Sequence, residues 1–485
     1  MSIRRSLCSA VLVLGVVGCE RPAERLTGTG AMSAAKAGLT GSIGINVLLA
    51  GPPTTAQLAQ LGTFGNVSGK LSQLNVVFMR ASASALPAIQ ALPFVVAANP
   101  DAERTGAPVD AVAATDFGTG FNTWNLDAVN VTPGPFATTR SVGFAGTGVY
   151  IGVLDTGLLD SWRQYFPQER IAEQYAVAFG GGGGEQGATP ERPNVWQHDQ
   201  NSHGTHVTST ILGYQFGFDP RTGLPNLING VAPLATVIPV KVLNQNGSGW
   251  SSTVARGIVY IADLKAGPLA GHPVVINMSL GGSALDAVEQ AAIDYAIARG
   301  VIIVASAGNS GTAGMGYPGA YAPVISVAAS GWVGQWPLQS CTGDPALLRA
   351  WWRVCDVAEP TVAADFYIAG FSSRAKTGQD LDVAAPGSWV VGPYQLQSGT
   401  TSYFFLSGTS MSSPHVAGIV ALMAQKHPAL TALQAEAILE ATAVPLPARS
   451  QEIHGPGGAV DTVSWSTDAT GAGLVTANVA LAGTP

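Results

Sequence analysis

Ser407-Gly408-Thr409-Ser410-Met411-Ser412-Ser413-Pro414-His415-Val416-Ala417-Gly418 reads as a tight turn running into a helix. Val416, Ile419, Val420 and Met423 recur at helical spacing, so residues 410–426 are expected to bury one apolar stripe. Pro414 is expected in the first turn of that helix, where its missing N–H costs little. A serine at a helix start has backbone N–H groups and the positive dipole end beside it, which favour developing negative charge. A serine there is as readily an N-cap, and Ser407, Ser412 and Ser413 crowd the same turn, so Ser410 alone decides nothing.

Upstream, apolar runs rich in Val and Ile cover residues 149–154, 237–243, 274–278, 301–305 and 324–328. Unbroken runs of this kind fit parallel strands covered on both faces. Helical patterns lie between them; over 285–299, Leu285, Val288, Ala292 and Tyr295 share a face and Gly300 follows as a stop. The fold class expected is therefore α/β, a doubly wound, mainly parallel sheet with helices on both faces, whose ligand site lies beyond the carboxyl ends of the strands. Asp155, Ser279 and Asn309 each directly follow one of those strands.

Attack of a serine on an amide needs a nucleophile, a base, a carboxylate to hold the base, and donors for the oxyanion. Asp155, in Gly-Val-Leu-Asp-Thr-Gly, is a carboxylate at a strand end. The same tripeptide occurs in aspartic proteases, but those want a second copy in a β-rich chain, and there is none. His203 and His206, in Asn-Ser-His-Gly-Thr-His, sit where Asn201 or Ser202 can cap a helix. Their i,i+3 spacing without a nearby Cys or acidic partner argues against zinc, and spacing does not decide which histidine is the base. Asn309, in Ala-Ser-Ala-Gly-Asn-Ser-Gly, is either a turn residue or an amide donor for an oxyanion.

Taken together these segments resemble the subtilisin-like serine proteases from about residue 124 to the C-terminus. Further matches are Asn-Gly-Val-Ala-Pro (229–233), Asn-Met-Ser-Leu-Gly-Gly (277–282), Gly-Tyr-Pro-Gly (316–319), Phe-Ser-Ser-Arg (371–374) and Asp-Val-Ala-Ala-Pro-Gly (382–387). The resemblance implies a triad of Asp155, His203 and Ser410, with Asn309 at the oxyanion and His206 a packed, hydrogen-bonded neighbour. It implies that Ser279, Leu280 and Gly281 pair with the substrate backbone as an added strand. Gly308 and Gly316 are expected to help form a roomy pocket. Those segments hold no acidic residue, so large apolar residues are the expected preference. No cofactor is required by this chemistry. Structural calcium is an open expectation: in compact relatives it sits in a loop before Gly-Val-Ala-Pro, where this chain has Leu224, Asn226 and Leu227 without a clean match, so no metal ligand is assigned. Residues 161–200, 213–229 and 332–371 are longer than in compact relatives and are expected to be surface loops. An inactive surface binding protein on the same scaffold is the alternative, against which stand the four filled positions. A carboxyl-type peptidase would need Glu and Asp in place of His203 and Asn309.

The N-terminal part is organised differently. Arg4 and Arg5 precede an apolar run too short to span a bilayer, so residues 1–19 are expected to be an export signal. It ends Val16-Val17-Gly18-Cys19, which resembles a lipobox with Val in place of the usual Leu; Cys19 is a lipidation candidate, or a chance cysteine in an ordinary signal. Residues 20–39 read as a linker. Strands over 43–50, 71–80 and 94–99 and helices over 54–61 and 84–92 suggest a small α+β unit over 40–104. By resemblance it is a propeptide, a chaperone and inhibitor of the remainder. Residues 105–121 are expected to be an exposed linker carrying the maturation site, ahead of a peptidase domain at 122–485. Once Cys8 and Cys19 are set aside, Cys341 and Cys355 remain, and an oxidising compartment favours a bridge between them worth about 3 kcal/mol. The chain of 485 residues is 47% hydrophobic and 11% charged with net charge -7, which fits a large core and gives no electrostatic reason to bind nucleic acid. Protein or peptide substrates, secretion or a cell-envelope location, and a monomer are expected.

Overall fold

Val274–Met278 is buried at every position because parallel strands flank it on both edges and helices cover both faces. The computed structural model describes residues 41–114, 123–134, 139–180, 187–218, 223–336, 357–396 and 402–485. The large sheet runs in the order Phe366–Ile368, Ile325–Trp332, Val301–Ser306, Val274–Met278, Tyr150–Asp155, Thr236–Lys241 and Val177–Ala178, with Val383–Pro386 also on Ile325–Trp332. Apart from Phe366–Ile368 its pairings are parallel. All five anticipated apolar runs lie in it.

From Tyr150–Asp155 the chain first adds Thr236–Lys241 on one side and then crosses to Val274–Met278 on the other. That reversal opens a crevice at the carboxyl ends of the two central strands. Thr409–Lys426 and His203–Leu212 cover one face through Val416, Ile419, Val207 and Ile211. Ser251–Ala266 and Ala287–Ile297 cover the other through Val254, Ile258, Val288 and Ile293.

The small N-terminal unit is a four-stranded antiparallel sheet in the order Gly65–Leu71, Val76–Ser82, Ser42–Leu49, Val95–Pro100, with helices Thr55–Gly62 and Leu86–Gln90. Alternation divides its residues: Val77 and Met79 join the unit's own core, while Val76 and Phe78 pack among the residues of Ser251–Ala266 and Ala287–Ile297. Two features depart from the sequence reading. The single strand expected at 71–80 is two, Gly65–Leu71 and Val76–Ser82, joined through left-handed Asn75; the first carries two glycines and an exposed face, which hide its strand character. The linker expected over 105–121 is exposed in most of its described side chains but its backbone is held: Gly106 is buried, and Glu103–Thr105 and Asp110–Ala113 are strands. Small residues carry little side-chain signal, and the main-chain hydrogen bonds that hold this stretch are blind to side-chain identity.

Of the longer segments, 161–200 is not merely surface, since Trp162, Tyr165, Phe166 and Trp196 enter the core. Within 213–229, the segment compared with a calcium loop, Gly213–Phe218 and Pro225–Asn229 pair as antiparallel strands. Cys19, Cys341 and Cys355, the signal and residues 20–39 lie outside the described residues. Among the described residues no helix is long and apolar enough to cross a membrane.

Candidate active site

At the end of Tyr150–Asp155, Asp155 Oδ1 accepts from the Thr156 N–H at 2.7 Å and from His203 Nδ1 at 2.8 Å. Both side chains are fully buried. The carboxylate thus fixes the tautomer that leaves His203 Nε2 able to accept a proton. That nitrogen has no hydrogen-bond partner among the described residues. Around the pair, Lys241 Nζ donates to the Thr156 carbonyl at 2.5 Å, and Asp199 accepts the Ser202 N–H at 2.8 Å. Burial pushes the Asp199 carboxyl up to about 6, with the Lys241 ammonium opposing.

His203 starts its helix without the cap expected. Ser202 is left-handed (φ 67) and makes no side-chain cap; Thr156 Oγ1 reaches across to take the Gly204 N–H at 2.8 Å. The helix is therefore tied at its first turn to the strand end carrying Asp155. His206, one turn on, approaches the Val390 carbonyl through Nε2 at 3.1 Å, and burial with His203 nearby pushes its pKa down to about 3. His415 is neutral for the same reason: burial pushes it down to about 4.

Ser410 is the second residue of Thr409–Lys426, so Pro414 falls in the second turn rather than the first. A proline there cannot return an N–H to the carbonyl four residues back. That carbonyl belongs to Ser410, and Ser279 Oγ satisfies it at 2.8 Å. In turn Ser410 Oγ donates to the Ser279 carbonyl at 3.2 Å. The helix defect thus locks Ser410 to the strand end 279–281.

Asn309 is oriented without ambiguity, because its Oδ1 accepts both the Thr409 N–H and Thr409 Oγ1 at 2.9 Å. Nδ2 is left as the donor, beside Gly408 and the start of the serine's helix. Gly308 is left-handed at φ 102 and its N–H is held by Thr409 Oγ1. Gly316 faces Gly281 and Gly282 across the gap, the two backbones linked by paired bonds between Gly282 and Tyr317 at 2.8 Å.

The crevice is filled by the chain itself. Thr105 exchanges both backbone hydrogen bonds with Gly281 at 2.9 Å, and Glu103–Thr105 pairs on its other edge with Ser248–Trp250. The Gly106 N–H donates to the Gly247 carbonyl at 2.8 Å, and a Cβ at Gly106 would stand 3.4 Å from His203 Cε1. Beyond it the Val109 N–H donates to the Ser407 carbonyl at 2.6 Å, and Asp110–Ala113 pairs with Tyr403–Ser407. Ala107 and Pro108 lie between these anchors. Leu280 is buried in the core cluster that holds Val288 and Ile293.

One charged residue of the crevice was missed by sequence reading. Glu289, in the first turn of Ala287–Ile297, is fully buried against Arg104 of the filling segment. It lies eight residues past Gly281, the end of the motif read as substrate-binding, on a helix that pattern alone assigns to packing. A separate acidic group, Asp380, Asp382 and Glu436, offers carboxylate oxygens within 4.8 Å of one another. Asp382 is buried; among the described residues its Oδ1 has no partner, while Oδ2 accepts from the Ser326 N–H and Oγ.

A subtilase family model matches residues 146–473. The chain is similar to subtilisin DY of Bacillus licheniformis, 33% identical over 311 residues that make up 63% of this chain and 88% of that protein. It is similar to subtilisin Savinase of Lederbergia lenta, 33% identical over 336 residues, 69% of this chain and 95% of the other. The crystal structure of fervidolysin from Fervidobacterium pennivorans, described as a keratinolytic enzyme related to subtilisin, has the same fold with a TM-score of 0.61 at 24% identity, over 93% of this chain and 62% of that one.

Replacing Ser279 with Ala orphans the Ser410 carbonyl. An unsatisfied buried acceptor costs roughly 1–3 kcal/mol, so Ser279→Ala is expected to lower the melting temperature by several degrees; an unchanged melting curve contradicts the lock. The buried histidines give a pH signature. His206 and His415 bind protons more weakly folded than unfolded, so their contribution is complete above about pH 6.5 and is lost as pH falls toward 3 to 4. His206→Gln should lose less stability than wild type between pH 7 and 4 in denaturant titrations, by a few kcal/mol at about 1.4 per pKa unit. Parallel loss in both proteins contradicts a neutral His206.

Proposed function

The chain belongs to the subtilase family, and from that premise we propose that it is an exported serine endopeptidase made as a self-processing precursor. The observation that carries the reading is the buried Asp155–His203 hydrogen bond, which leaves Nε2 unpartnered beside the segment that crosses the crevice. In the proposed reaction His203 takes the Ser410 proton, Asp155 stabilises the imidazolium, and Ser410 Oγ attacks the carbonyl. Asn309 Nδ2 and the Ser410 N–H receive the oxyanion. The imidazolium then protonates the departing amine, and water hydrolyses the acyl-enzyme by the same route. Ser410 Oγ, which donates to the Ser279 carbonyl in this structure, must turn from that carbonyl toward Nε2 first.

Residues 40–104 act in this reading as the propeptide and inhibitor, and the segment that follows is the first substrate. The bonds of Thr105 to Gly281, Gly106 to Gly247 and Val109 to Ser407 support Ala107–Pro108 as the bond presented to Ser410. Gly308 and Gly316 then border the pocket for the residue before it. A proline on the leaving side has no N–H and crowds the nitrogen that His203 must protonate, which favours slow release of the inhibitor. If Cys19 is lipidated, it anchors the precursor while the processed enzyme is free, and a Cys341–Cys355 bridge suits the exported location. Peptide substrates and a monomeric enzyme complete the proposal.

Calcium fits as a structural ion at Asp380, Asp382 and Glu436, where three carboxylates converge and a buried oxygen lacks a donor. Burial pushes Asp382 up to about 7 when no ion is bound, with Asp380 and Glu436 adding to it. Bound calcium displaces that proton and stabilises the folded chain.

Ser410→Ala should abolish labelling by a fluorophosphonate and leave the precursor uncut after its signal, as read by mass spectrometry of the N-terminus. Labelling that persists contradicts the nucleophile, and normal processing contradicts self-cleavage. Calcium should raise the melting temperature of the wild type by several degrees, more at pH 8 than at pH 6, and Asp382→Asn should remove most of that gain. An equal gain in the variant places the ion elsewhere.

A further inference from the structure

Arg104 stands three residues before Ala107 and is fully buried, as is its partner Glu289. The pair is bidentate: Arg104 Nε donates to Glu289 Oε1 at 2.9 Å and Nη2 to Oε2 at 2.6 Å. The remaining reach of the guanidinium is met by main chain, with Nη1 on the Glu103 carbonyl at 3.0 Å and Nη2 on the Ala284 carbonyl at 2.9 Å. Gly282 leaves the room: a Cβ there would stand 2.7 Å from Nη1 and 2.2 Å from the Glu103 carbonyl. The pocket is thus built on the peptidase side by Glu289, Ala284 and Gly282, and is filled only from the strand that occupies the crevice.

When that strand leaves, Glu289 loses the charge that compensates its burial. A carboxylate sunk at a helix start, with the buried Asp286 carboxylate close enough to repel it, is costly alone, and the fork of an arginine matches it in geometry as well as charge. Lysine offers a point charge without the fork. We infer that Glu289 makes this pocket a subsite for an arginine side chain, so that the enzyme selects peptides with Arg four residues before the cleaved bond. The inference rests on the peptidase reading and on Ala107–Pro108 as the presented bond. It adds a charged preference at a position for which the sequence carried no expectation, and leaves the large-apolar preference expected of the pocket beside Gly308 and Gly316 unaffected. The same pair then explains why the precursor carries Arg104: its own segment satisfies the preference of the enzyme it blocks.

The test uses the processed wild-type chain and two peptide pairs. Quenched substrates containing Glu-Arg-Thr-Gly-Ala or Glu-Leu-Thr-Gly-Ala report cleavage, and the same five residues ending in a free carboxylate report binding by fluorescence anisotropy. The arginine peptides are expected to lead by about 100-fold in kcat/KM and in affinity, since a site built around a buried polar group discriminates strongly against a ligand that cannot meet it. Equal cleavage and equal binding overturn the subsite while leaving the peptidase intact. Selective binding of the arginine peptide without cleavage of either keeps the subsite and sinks the peptidase reading. Glu289→Leu strands Arg104 in the precursor and can fail to fold, so Arg104→Leu/Glu289→Leu is made beside it, restoring an apolar match. The double variant is expected to prefer the leucine peptides; a retained arginine preference overturns the inference.

Discussion

The crevice is bounded by backbone that lacks partners of its own. The Gly247 carbonyl, both polar groups of Gly281 and the Ser407 carbonyl all point at one strand-wide gap, and the chain's own Thr105, Gly106 and Val109 meet them. Unpaired main-chain groups in a buried gap are expensive, so the gap demands an extended peptide. Recognition of that kind reads backbone first and side chains at intervals, which lets one crevice take many sequences while retaining a few selective pockets. The docking of the small unit follows from the same constraint. Phe78 and Val76 rest on the two helices behind the crevice, and Asp101 accepts from the Ser252 N–H at the start of one of them at 3.0 Å. The unit is held so that the segment after it can only run through the gap.

Around the gap, rigidity is built from defects repaired in trans. Pro414 breaks a helix bond and Ser279 mends it, joining the serine's helix to the wall of the crevice. Ser202 cannot cap the histidine's helix and Thr156 does so instead, joining that helix to the strand bearing Asp155. Thr409 fixes the amide of Asn309. Each repair couples two elements distant in sequence, so Asp155, His203, Asn309 and Ser410 are positioned by hydrogen bonds between elements.

How much of this was legible beforehand follows from what each feature writes into sequence. The parallel core was legible because full burial on both faces leaves unbroken Val/Ile runs, and the reacting segments because turn glycines bracket them. Gly65–Leu71 was not, since an edge strand with a wet face and two glycines resembles a loop. The held path of 103–113 was invisible because its bonds are main chain to main chain. Glu289 was hidden differently: on a helix, a lone acidic residue is ordinarily solvated, and only the fold shows its side chain sunk beneath the crevice rather than facing water. Pro414 lies a turn deeper than its spacing suggests because the helix begins at Thr409, and the carbonyl it strands, that of Ser410, is met by Ser279, 131 residues away.

Residues 103–113 lie in the crevice, held by main-chain hydrogen bonds. Amide hydrogen exchange on the uncut Ser410→Ala chain measures this directly. The Thr105, Gly106 and Val109 amides, with that of Gly281, are expected to exchange orders of magnitude more slowly than unstructured chain. Exchange of those amides at the rate of a free peptide, with the central strand Val274–Met278 still protected, would contradict it.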